Sequence, residues 1–78
     1  MDGAKLVRMA NQIAAFFAAE PDRAVALQGI AGHLKKFWEP RMRREIFAVL
    51  DAGAAKGMSE HVREALVAHR KLLEPAAK

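Results

Sequence analysis

One hydroxyl side chain, three scattered imidazoles and one dense run of cations are what this 78-residue chain offers to chemistry. Covalent catalysis needs an activated nucleophile, a base and oriented polar partners. The sequence holds no Cys, Thr or Tyr, and Ser59 is its single Ser. Ser59 stands before a helical pattern with Glu60 behind it, which is the place of an N-cap. His33, His61 and His69 do not stand at a recognised metal-ligand spacing. His69 falls on an apolar stripe as a boundary residue, while His33 and His61 are read as facing solvent. This inventory points away from an enzyme, and no catalytic, cofactor-binding or metal-ligating residue is assigned.

The cations point elsewhere. Lys35 to Arg44 reads KKFWEPRMRR, five bases and one acid, and its net +4 is the charge of the whole chain. Lys35 and Lys36 close a helix, where cations complement the macrodipole. Arg41, Arg43 and Arg44 instead open the next helix, where the dipole is positive and each costs roughly 0.3–1 kcal/mol when exposed. An i,i+4 pair between Arg41 and Glu45 recovers only about 0.2–0.5 kcal/mol. Phe37 and the only tryptophan, Trp38, lie inside the run. Trp with Arg is the usual composition of binding hot spots. The expected site is therefore a protein interface formed by Phe37, Trp38, Pro40, Arg41, Met42, Arg43 and Arg44. Trp38 and Met42 would be its apolar anchors, and the three arginines would pair with acids on the partner. Phe37, continuing the Leu27–Ile30–Leu34 stripe, is expected toward the core, and Trp38, at its edge, fits core-capping and interface anchoring about equally.

The elements that must carry this site are helical throughout. Apolar spacing is three to four, alanine is abundant, and no stretch alternates as a strand does. The expected fold is all-α, a small compact bundle of three to four short helices in a single domain. The helices are predicted over 4–19, 21–38, 40–52 and 59–73, with a frayed tail over 74–78. Leu6, Ala10, Ile13 and Phe17 give the first helix its face, with one of Phe16 and Phe17 inside and the other free to meet a partner. Asn11 and Gln12 read as exposed helix polars. Pro21 suits the first position of the second helix, and Asp22 its dipole. Gly29 and Gly32 lie inside that helix at about 1 kcal/mol each relative to Ala, which argues for close approach by a ring such as Phe16 or Phe17. Pro40 forces a sharp Trp38–Glu39 turn, because the residue before a proline avoids the helical region. Gly53 or Gly57 ends the third helix. Val62, Ala65, Leu66, His69, Leu72 and Leu73 form the stripe of the fourth.

A chain this short buries roughly 60% of its unfolded surface and keeps little margin. Without cysteine it has no disulfide, so a partner is the remaining source of stability. Residues 5–19 superficially resemble a signal peptide, but the polar Asn11–Gln12 step makes an amphipathic helix the better reading. No stretch approaches the roughly 20 apolar residues of a membrane span. A soluble, cytoplasmic protein is expected.

Three segments carry a family resemblance. KLVRMANQIAAFF (Lys5–Phe17), GIAGHLKKFWEPRMRREI (Gly29–Ile46) and VREALV (Val62–Val67) are similar to the small delta subunit of soluble NAD-dependent formate dehydrogenases. The most specific part is Phe37–Arg43. The chain departs from the family pattern in its loop, where Ala54-Ala55-Lys56-Gly57 and Glu60-His61 replace a glycine-rich turn and a nearby proline. The resemblance implies an accessory subunit that carries no cofactor itself. Its partners would be an alpha subunit with molybdenum or tungsten bis-pterin and iron–sulfur clusters, and further subunits with FMN that deliver electrons to NAD. The implied role is binding the formate dehydrogenase alpha subunit and aiding assembly, stability or cofactor insertion. Two other readings stand beside it. One is a basic helical nucleic-acid-binding module, ranked lower because Asn, Gln, Ser and Thr for reading bases are nearly absent. The other is a self-associating bundle, including a homodimer of the isolated chain.

Overall fold

The computed structural model describes residues 2–75, and each helix in it begins and ends for a local reason. α1 spans Gly3–Phe17, with the Asp2 carboxylate accepting from the Ala4 N–H at 3.1 Å. α2 spans Arg23–Phe37. Its cap is Asp22, whose carboxylate accepts from the Ala24 and Val25 N–H groups, so Pro21 lies before the helix rather than at its first position. Such a cap is worth about 1 kcal/mol. Trp38 and Glu39 are extended (ψ 134° and 154°), as a following proline requires, and α3 (Pro40–Asp51) starts at Pro40. Gly53, at φ +70°, follows the end of α3 and reverses the chain. The Ser59 hydroxyl accepts from the Val62 N–H at 3.2 Å and opens α4, Glu60–Ala68.

The last predicted helix is two. His69, at φ −115° and ψ 28°, interrupts it, and Arg70–Leu73 forms a separate turn, α5. The break changes which side chains face inward: Leu73 is fully buried, whereas Leu72, expected on the stripe, is exposed. Of the tail expected over 74–78, residues 76–78 lie outside the described residues.

α2 is central, packed against α1, α4 and α5, while α1 also lies on α3 and α4. Leu6, Ile30, Leu34, Ile46, Phe47 and Leu66 are fully buried at their meeting. Each such side chain contributes about 1.5–3 kcal/mol relative to exposure. The described residues include no strand, so the architecture is the expected small all-α bundle.

Two glycines set how closely helices approach. A Cβ on Gly29 would stand 2.6 Å from Phe17 Cδ1, and one on Gly3 would stand 2.7 Å from Val49 Cγ2. Gly29 thus seats the Phe17 ring of α1 on α2, the close approach expected from sequence. Gly32 has nothing within 4 Å and is a surface glycine.

Candidate protein-docking surface

The basic run lies at the corner where α2 ends and α3 begins, and the corner sorts its side chains. From Leu34, the core stripe continues either three residues on, at Phe37, or four, at Trp38. The extended backbone at Trp38 decides for the indole, which is 5% exposed, leaving Phe37 64% exposed. The expectation for Phe37 is overturned here, and of the two readings of Trp38 the buried one holds. Trp38 is a core residue rather than an outward anchor, because the larger ring removes more apolar surface from water. Met42 is only half exposed and packs against the core.

Arg43 is also withdrawn from the surface. It is 8% exposed, its Nε donates to the Trp38 carbonyl at 3.3 Å, and its Nη1 donates to the Leu73 carbonyl at 2.8 Å. Those bonds tie the corner to the end of α5 and give Arg43 a structural role. What remains outward is Phe37, Pro40, Arg41 and Arg44, beside Lys35 and Lys36. The described ion pairs join Arg23 to Glu64 and Arg70 to Asp51 and Glu74. No Arg41–Glu45 pair is among them, and the cations of the basic run belong to none.

Phe37 is not isolated. The His33 ring, one helical turn back, lies 4.7 Å from it, and the Lys36 ammonium lies 5.7 Å from its centroid. His33, expected in solvent, is half-buried. It also lines an open groove of about 230 Å³ between α1 and α2 with Ile13, Phe16 and Phe17. Phe17 packs partly inside; Phe16, edge-on to it at 5.3 Å, is 81% exposed. A continuous aromatic face therefore runs from Phe16 across His33 to Phe37, with lysines at one end. Neighbouring rings at i,i+4 (His33, Phe37) were its signal in the sequence.

A second apolar hollow lies between α2 and α4, lined by Leu27, Val67 and Ala68. Arg63 and Glu64 complete its lining, and Glu64 is paired internally. Arg23 forks onto Glu64 through bonds of 2.8 and 2.6 Å, and this pairing raises the guanidinium pKa and lowers that of the carboxylate.

Asn11, expected as an exposed polar, does structural work instead. Its amide donates to the Gly57 carbonyl at 2.8 Å and its oxygen accepts from the Ser59 N–H at 2.9 Å, fastening the α3–α4 loop onto α1. The single hydroxyl of the chain is engaged at the same place as a helix cap. Among the described residues no three His, Asp or Glu side chains gather into a metal site.

A family model described as the NADH-dependent formate dehydrogenase delta subunit, FdsD, matches residues 5–66. The chain belongs to the FdsD family. Searches of curated proteins and of solved structures found no match. As a formate dehydrogenase delta subunit, it is a component of a larger complex and associates with other subunits. The family match covers the entire aromatic face and the basic corner, and ends at Leu66 within α4. No helix among the described residues is long and apolar enough to cross a membrane.

Proposed function

We propose that this FdsD protein is a non-catalytic accessory subunit of a cytoplasmic NAD-dependent formate dehydrogenase. It binds the large alpha subunit and aids assembly, stability or cofactor insertion in the holoenzyme. In this reading the molybdenum or tungsten bis-pterin, the iron–sulfur clusters, FMN and NAD belong to its partners. The observation that carries the reading is the coincidence, in a delta-subunit family, of exposed aromatics with cations that join none of the ion pairs among the described residues. Aromatic residues and Arg are enriched in protein interfaces, and depletion of acids on one side favours acids on the other.

Arg41 and Arg44 contribute to docking as rim charges, accelerating encounter with an acidic surface and losing effect as salt rises. The test is co-expression of the tagged chain with the alpha subunit, followed by capture and size measurement. A stoichiometric complex, and less cofactor-loaded alpha subunit when the chain is omitted, is the expected result. An alpha subunit that is equally abundant and equally loaded without it contradicts the assembly role. Retention of DNA or RNA with a steep salt dependence, and of no protein, would favour a nucleic-acid module instead.

A further inference from the structure

We propose that the face formed by Phe16, Phe17, His33 and Phe37, with Lys36 at its end, is where the large catalytic subunit docks. The element received there is an apolar segment flanked by acids. This inference rests on the accessory-subunit reading and adds the surface and the chemistry of what covers it.

Two rings are spread to solvent: Phe16 on the wall of the groove, and Phe37 against His33, which also lines it. Phe16 is 81% and Phe37 64% exposed, and Ile13, Phe17 and His33 supply the groove floor and walls. Large exposed aromatics that share one face mark a contact surface, whereas single exposed apolar residues need no explanation. Phe16 lies on α1 and Phe37 on α2, and the packing of the two helices puts both beside His33. That packing depends on Gly29, which leaves room for Phe17 and so sets the groove.

Charge decides between a second copy and a different protein. A twofold dimer apposes the same patch on both chains. Each copy would bring the same basic run, five cations against Glu39 alone, so the two apposed surfaces would carry charge of the same sign. An acid-flanked segment instead meets Lys36 favourably and covers Phe37 with its apolar core. Size agrees with one partner. A standard interface takes roughly 800 Å² from each side, about a sixth of the 5005 Å² that this chain exposes.

The experiment co-expresses the alpha subunit with tagged wild-type chain or with Phe16→Ala, Phe37→Ala, Lys36→Glu or Val67→Ala. Capture is titrated at low and high salt. Far-UV circular dichroism of each purified variant checks the fold, which exposed positions leave intact. Phe16→Ala and Phe37→Ala are each expected to weaken capture about tenfold or more, as hot-spot truncations do. Lys36→Glu weakens it at low salt and flattens its salt dependence. Val67→Ala, on the other apolar hollow, stays within about threefold of wild type. Wild-type affinity in both phenylalanine variants overturns the placement while leaving the subunit reading intact, because the wild-type chain is still captured. Failure of the wild-type chain to capture the alpha subunit overturns both. Loss of a dimer of the isolated chain in those variants, with capture unchanged, assigns the face to a second copy and also overturns the proposal.

Discussion

Arg43 buries a guanidinium with no carboxylate at hand and spends its donors on two backbone carbonyls, those of Trp38 and Leu73. Burying a charged donor is tolerable only when its hydrogen bonds are made. Arg43→Met should leave both carbonyls without that donor and loosen α5, at a cost of about 1–3 kcal/mol in urea denaturation. Wild-type stability in that variant would show the two bonds to be incidental. The two helical glycines give a contrast of sign. Gly32→Ala meets open space and should gain about 0.5–1 kcal/mol from helix propensity. Gly29→Ala gains the same propensity but must displace the Phe17 ring, and overpacking costs about 1–3 kcal/mol. Thermal melts should therefore move in opposite directions, and a rise in both would deny that Phe17 is seated on Gly29. Sequence alone made both glycines equivalent, because helical spacing does not say which face receives a ring. Phe37 and Trp38 were ambiguous for a similar reason: a step of three and a step of four both continue the Leu34 stripe, and only the turn chooses.

At the level of the elements, the strongest signals in the chain were local ones. Pro40, Asp22 and Ser59 each carry a backbone consequence within a turn of themselves, and the structure shows an extended Trp38–Glu39 and two side-chain caps there. Signals that act across the fold were silent. Asn11 reaches Gly57 and Ser59, more than forty residues away, and nothing in its own helix distinguishes it from Gln12. The break at His69 was hidden because the apolar spacing continues through it. Ion pairs between elements were equally hidden, and they give a pH dependence. Hydrogen bonds from Arg70 hold the Asp51 and Glu74 carboxyls below their ordinary pKa values, and a hydrogen bond from Arg23 does the same for Glu64. Depressed carboxylate values stabilise the folded state above the unfolded range near pH 4. That contribution is lost as pH falls through the lowered native values. The melting temperature should be flat near neutrality and decline below about pH 4. Because all three pairs are partly exposed, added salt should shrink the effect. A decline that begins near pH 6 would contradict this assignment to the carboxylates.

The whole molecule is a small helical body whose net +4 is concentrated at one corner and whose exposed aromatics share a face with it. Its interior is satisfied: among the described residues no buried side-chain polar atom lacks a partner. The features left unspent on folding are the rings and cations that face outward, which is what an accessory subunit of a larger complex needs. The bundle was legible because amphipathic spacing is visible in one dimension, as is the charge cluster at its corner. The proposed docking face was not, since it draws on side chains of both α1 and α2. The central claim is that this delta chain binds the catalytic subunit of a formate dehydrogenase, and affinity capture of the tagged chain from native lysate tests it most directly. Mass spectrometry of what is retained should find a large molybdopterin-type, iron–sulfur subunit in stoichiometric amount. Recovery of the chain alone, or with nucleic acid and no such subunit, would contradict it.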